Sequence, residues 1–136
     1  MTDEQMIANL RTGLEAARKL SGATDALTET LAQIERTLSE MRFGVEASTP
    51  MDQGERLAFR KEGKVWRLLI EDEHQQGNLL INSSRDHRLI AVSYLPSLFT
   101  ALAQAAAYKT EGVCHINLNA ESLLATLRTL LKEQAP

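Results

Sequence analysis

Residues 24–42, TDALTETLAQIERTLSEMR, carry apolar side chains at Leu27, Leu31, Ile34, Leu38 and Met41, alternating steps of four and three. That spacing lays one narrow apolar seam along a helix, the kind a partner helix or a packing layer covers. It constrains the fold more than any other feature of the chain, and it speaks of packing rather than chemistry. The seam is accordingly expected to be an oligomer or partner interface.

A second stripe precedes it. Ile7, Leu10, Leu14 and Ala17 share one helical face, while Arg11, Glu15 and Lys19 occupy the opposite one. Glu15 ahead of Lys19 is the favourable order for a surface pair four apart. Between the stripes lies Leu20-Ser21-Gly22-Ala23-Thr24-Asp25. Gly22 suits a left-handed helix end, and Thr24 or Asp25 can cap a following helix. A helical hairpin over residues 1–42 is therefore favoured, with one continuous helix as the alternative.

After Arg42 the period becomes two. Phe43, Val45 and Ala47 alternate with Gly44, Glu46 and Ser48 and read as a strand, and residues 49–55 as a loop. Arg56–Lys61 and Lys64–Asp72 flank Glu62-Gly63, a two-residue hairpin turn. That turn sets Phe59 opposite Trp66 and Leu57 opposite Leu68, all on one face. Residues 79–82 read as a further short strand.

Ser83 with Asp86 three positions on forms a variant capping box for a helix carrying Ala91, Tyr94 or Leu95, Leu98, Leu102 and Ala105. Pro96 must kink that helix or begin a new one. Thr110-Glu111-Gly112 is expected to break it, followed by a strand at 113–118 with Cys114 as a small core residue. Asn119 then caps a last helix whose stripe is Leu123, Leu124, Leu127, Leu130 and Leu131.

The expected fold is thus one α+β domain over 1–136. It has two layers: the helical segment 1–42, antiparallel strands within 43–82, and helix-strand-helix over 83–136. The sheet should have three to five strands, and two or three further helices should follow it. At 136 residues such a chain buries a core without disulfides or metal.

Composition narrows the function classes. A net charge of −3 disfavours a general nucleic-acid binder, which needs a basic face to neutralise phosphates. One cysteine gives no intramolecular disulfide and no zinc-ligand set. No apolar run approaches the ~20 residues of a bilayer span, and the acidic, polar start MTDEQM is unlike a signal peptide. The expectation is a cytoplasmic protein with no membrane association.

Residue types that carry chemistry are present but poorly arranged. Ser83, Asp86 and His87 do not make a triad, because neighbouring positions on a helix point about 100° apart. Arg85 and Arg88 sit on the first turns of a helix, where positive charge is disfavoured. They are the candidate anion-binding pair, with the acidic run Glu71-Asp72-Glu73 as the alternative partner. Arg56, Arg60 and Arg67 should share the outer sheet face, yet stacking aromatics for a single strand are expected on the other side. No catalytic residue, cofactor or metal site is expected. The leading functional expectation is a non-enzymatic interaction module, an adaptor, inhibitor, chaperone-like or regulatory protein that engages a protein partner and forms a homodimer. One alternative is a small-molecule pocket or modest enzyme using Arg85, Arg88, Tyr94 or His87. Another is a nucleic-acid-associated regulator placing Arg56, Arg60 and Arg67 on DNA.

Overall fold

The computed structural model describes residues 2–134. It is an α+β arrangement of two long helices and a four-stranded antiparallel sheet. Helix α1 spans Asp3–Met41, β1 Ala47–Pro50, β2 Arg56–Glu62, β3 Val65–Glu71, β4 Gly77–Leu79, and helix α2 Arg85–Gln134. Short 3-10 turns at Asp52–Gly54 and Leu80–Asn82 join these elements, and the strands lie in the order β1-β2-β3-β4.

Helix α1 begins at a full capping box. Thr2 Oγ1 accepts the N–H of Gln5, and the Gln5 side chain accepts the N–H of Thr2. It ends where Arg42 turns left-handed, with Gly44 following at φ 68°. The favoured hairpin is not formed: α1 runs unbroken through Gly22. Thr24 caps nothing, because its hydroxyl donates back to the Leu20 carbonyl at 2.8 Å, a bond made inside a helix. A mid-helix glycine costs only about 1 kcal/mol relative to alanine, too little to break a 39-residue helix.

The same correction applies at the C-terminus. Helix α2 is 50 residues long and contains Gly112, Asn119 and the stretch expected as a strand at 113–118. Val113, Ile116, Ala120, Leu123, Leu127 and Leu130 hold a three-four spacing across that stretch. This longer helical period overrides a short alternation that has no strand to pair with. Pro96 also stands inside α2. The carbonyl that loses its proline partner there is offset by the burial of Leu95 and Leu98 on either side. Cys114, expected in the core, is exposed on this helix.

In the sheet, the expected hairpin forms two residues out of register. Its loop is Gly63-Lys64, with Gly63 at φ 62°, and Leu57 opposes Ile70 while Phe59 opposes Leu68. A slip of two preserves every side chain's face. Leu57, Phe59, Leu68 and Ile70 therefore still share the core face, and Phe59 stacks diagonally on Trp66 with ring centroids 5.3 Å apart. Strand β1 starts at Ala47 rather than Phe43, because Arg42 and Gly44 are both left-handed. The residues expected as a strand at 79–82 divide between the end of β4 and a 3-10 turn.

Strand β4 pairs only with Leu69–Glu71, so the earlier part of β3 has an open edge. Helix α1 closes it. The Glu35 carboxylate accepts the Leu68 N–H at 2.9 Å and an Arg67 N–H at 3.1 Å. One turn later, the Ser39 hydroxyl reaches the Trp66 carbonyl. A row of unpaired backbone groups is thereby satisfied by a helix instead of a fifth strand.

These contacts also fix direction. Glu35 meets Leu68 and Ser39 meets Trp66, so α1 runs against β3. His87 meets Glu55, and further along α2 Lys109 meets the Gly44 carbonyl, so α2 runs against β1. Strands β1 and β3 point the same way, so α1 and α2 lie on the sheet in the same sense. The core they enclose comprises Leu31 and Leu38 of α1, Leu57, Phe59, Leu68 and Ile70 of the sheet, and Ala91, Leu95, Leu98 and Leu102 of α2.

Candidate functional site: two exposed helical arms

Each helix is far longer than the sheet it covers. Residues 3–23 of α1 and 107–134 of α2 are exposed throughout. At 1.5 Å per residue these arms extend roughly 30 Å and 40 Å. Because the helices share a direction, the two arms leave the sheet at opposite ends.

The arms are not polar spacers. Met6, Ile7, Leu10, Leu14 and Leu20 all stand well exposed on the first. Val113, Ile116, Leu123, Leu127, Leu130 and Leu131 are likewise exposed on the second. In α1 the stripe Ile7, Leu10, Leu14, Ala17 continues in unbroken three-four spacing to the buried Leu31, Glu35 and Leu38. The same register therefore links the open row to the enclosed one, with the polar Ser21, Thr24 and Thr28 at the positions between them. Open rows of this length mark interaction sites.

The expected interface seam divides accordingly. Leu31 and Leu38 are enclosed by the chain's own sheet, Leu27 and Ile34 are half-buried against that core, and Met41 is 60% exposed. The open part of the seam lines an apolar groove of about 500 Å³ between the helices, with Ile34, Leu38, Met41 and Phe43 facing Phe99 and Leu102.

The arginine candidates are each occupied differently. Arg88 donates to the Ser83 carbonyl, while Arg85 is exposed, so no shared anion cradle forms between them. The acidic run does not serve them. Glu71 takes Arg60 in a two-point contact at 2.8 and 2.9 Å, and Asp72 accepts the N–H groups of His74 and Gln76. Glu71, with Glu46 behind it, holds the Arg60 guanidinium further above its usual range. Arg67 is drawn to Glu35 and Arg56 to Ser48, so all three arginines of the expected basic sheet face have partners within the chain.

At the start of α2 the structure assembles a trio other than Ser83, Asp86 and His87. Ser84 Oγ lies 2.7 Å from His87 Nδ1, and His87 Nε2 lies 3.3 Å from Glu55 Oε2. The order serine, imidazole, carboxylate is that of a nucleophile set. However, Ser84 Oγ also accepts the His87 N–H at 3.2 Å, which is the work of a helix N-cap. Nothing in the spacing of Glu55 signals its part, since the hairpin register carries it there. Tyr94, another candidate, donates its phenol proton to Asp52, whose negative charge pushes the phenol's pKa up. No group of three or more potential metal ligands converges among the described residues.

The expectation that no run approaches a bilayer span also needs correction. Helix α2 contains a stretch long and apolar enough to cross a membrane by length and composition. Its interspersed Ser, Tyr, Thr and Gln hide it from a search for consecutive apolar residues. Ala91, Leu95, Leu98 and Leu102 in this helix are packed into the core.

Comparison with protein-family models, curated proteins and solved structures gives no match for this chain.

Proposed function

We propose that the chain is a non-enzymatic protein–protein interaction module, of adaptor, inhibitor, chaperone-like or regulatory type. Its working surfaces are the two helical arms. One observation carries the reading: rows of large apolar side chains stand exposed on helical arms that the chain itself leaves uncovered. Fully burying one leucine is worth about 1.5–3 kcal/mol, so covering such a row supplies a strong drive to associate. The arginines of the sheet face, by contrast, are engaged within the chain, Arg60 with Glu71 and Arg67 with Glu35.

The test is photo-crosslinking in host cells with a photoreactive residue placed at Leu14 or at Leu127, and at Lys61 in the hairpin as control. Adducts to a polypeptide from the arm positions and none from Lys61 are expected. Arm positions that yield no polypeptide adduct would refute the reading.

A further inference from the structure

Resting on the reading of the arms as interaction surfaces, we infer that their occupant is a second copy of this chain. The α1 arm of each protomer packs antiparallel on the α2 arm of the other.

Helix direction decides what can cover the arms. Within one chain the arms point away from each other, so they cannot cover one another. A two-fold axis perpendicular to the helices reverses the second protomer, bringing its α2 arm beside the first protomer's α1 arm. The same operation brings its α1 arm beside the first protomer's α2 arm. The contact is isologous and closed, so it ends at a dimer rather than a fibre.

Register supplies the second argument. Read from the tip inward, the α1 arm places Ile7, Leu10, Leu14, Ala17, Ser21 and Thr24 at steps of three, four, three, four and three. Read from its own tip inward, the α2 arm places Leu130, Leu127, Leu123, Ala120, Ile116 and Val113 at the same steps. One antiparallel alignment therefore matches all the steps, with the polar Ser21 and Thr24 falling opposite Ile116 and Val113 at the inner end. Large side chains meet large ones at Ile7–Leu130, Leu10–Leu127 and Leu14–Leu123, and alanine meets alanine at Ala17–Ala120. A shared three-four seam of this kind is what two helices need to interlock side chains.

The alignment also locates the axis in the body of the molecule. Carried inward, it sets Leu38 level with Phe99. Within one chain those two residues line the same groove between α1 and α2. The axis that pairs the arms thus passes near this groove, and the two bodies lie side by side.

Helix dipoles and area point the same way. The α1 tip carries Asp3 and Glu4 in its first turn, and the α2 tip carries Lys132 in its last. In the alignment Lys132 falls opposite Gln5 and Glu133 opposite Glu4, so the side-chain charges at the tips neither favour nor oppose the pairing. An antiparallel pair also sets the positive end of one helix dipole against the negative end of the other. Two reciprocal arm pairs bury on the order of 2,000 Å², at the upper end of the roughly 1,200–2,000 Å² that stable interfaces need.

The experiment uses cysteine pairs in a Cys114→Ala background. On mild oxidation, L10C combined with L127C in one chain should give a covalent dimer, and neither single variant should. Crosslinking by L10C alone or by L127C alone would overturn the reciprocal pairing. Sedimentation equilibrium of the unaltered chain needs no substitution and should return twice the 15.1 kDa protomer mass. L127E should raise the dimer's Kd by at least about 100-fold, since a charge is placed in the seam twice over. A mass of one protomer at every concentration would overturn the inference outright. If the arms nevertheless crosslink to a different polypeptide in cells, the interaction-module reading survives without the self-pairing.

Discussion

Glu35 joins the long helix to the sheet, and removing its carboxylate is the sharpest probe of how the layers are held. In Glu35→Ala, the buried N–H of Leu68 loses its acceptor at 2.9 Å, and Arg67 loses its partner at 3.1 Å. An orphaned buried donor costs about 1–3 kcal/mol. The Arg67 contact adds at most about 1 kcal/mol, because the arginine is partly exposed and solvent screens the pair. The expected total is a loss of about 1–4 kcal/mol. Glu35→Gln keeps an amide oxygen for the Leu68 N–H and surrenders the charge and the oxygen that meets Arg67, so it should cost about 1 kcal/mol. Urea unfolding followed by circular dichroism measures both, at one fixed protein concentration so that any association contributes equally. Hydrogen exchange at the Leu68 amide should accelerate in Glu35→Ala and little in Glu35→Gln. If Glu35→Ala costs less than about 0.5 kcal/mol, or if the two variants are equal, the edge-capping role is wrong.

Gly22→Ala should stabilise the chain by about 0.5–1 kcal/mol, since the position is helical and a methyl group there meets nothing within 4 Å; destabilisation in the same urea titration would restore the hairpin. Leu31→Ala should cost about 2–5 kcal/mol, because the side chain is wholly enclosed between α1 and the sheet; a loss below about 1 kcal/mol would show that the seam is open. Ser84→Ala should cost about 1 kcal/mol through the lost N-cap; an unchanged midpoint in the urea titration would contradict the capping role. Tyr94 titrates late because its neutral phenol donates to Asp52. The stabilisation from that contact is present below the unfolded-state value of about 10 and is lost as pH rises through the raised one. In a Tyr108→Phe background, absorbance at 295 nm should show the transition at lower pH in Asp52→Asn, and an unmoved transition would remove Asp52 as the cause.

Strong local periods made much of this fold legible. The stripes at 7–17, 27–41, 91–105 and 123–131 all lie on helices, and the hairpin's core face is read correctly despite its shifted register. The errors fall where a weak breaker competes with a long helical pattern. Gly22 and Gly112 carry turn signals, yet neither outweighs dozens of continuous helix bonds. Long-range pairings were out of reach for a different reason. Glu55 with His87, Arg67 with Glu35 and Arg60 with Glu71 depend on strand register and helix direction, which no local spacing encodes. The arms themselves were visible as apolar stripes. What residue pattern alone does not reveal is that the sheet is too short to cover them.

Hydrogen–deuterium exchange across a dilution series, resolved to peptides within 3–23 and 107–134, addresses that point most directly. Both arms should exchange slowly at high concentration and lose protection together on dilution, while the β2–β3 hairpin stays protected. Arms that exchange within seconds at every concentration would mean that no second chain covers their apolar faces, and the reciprocal dimer would be contradicted.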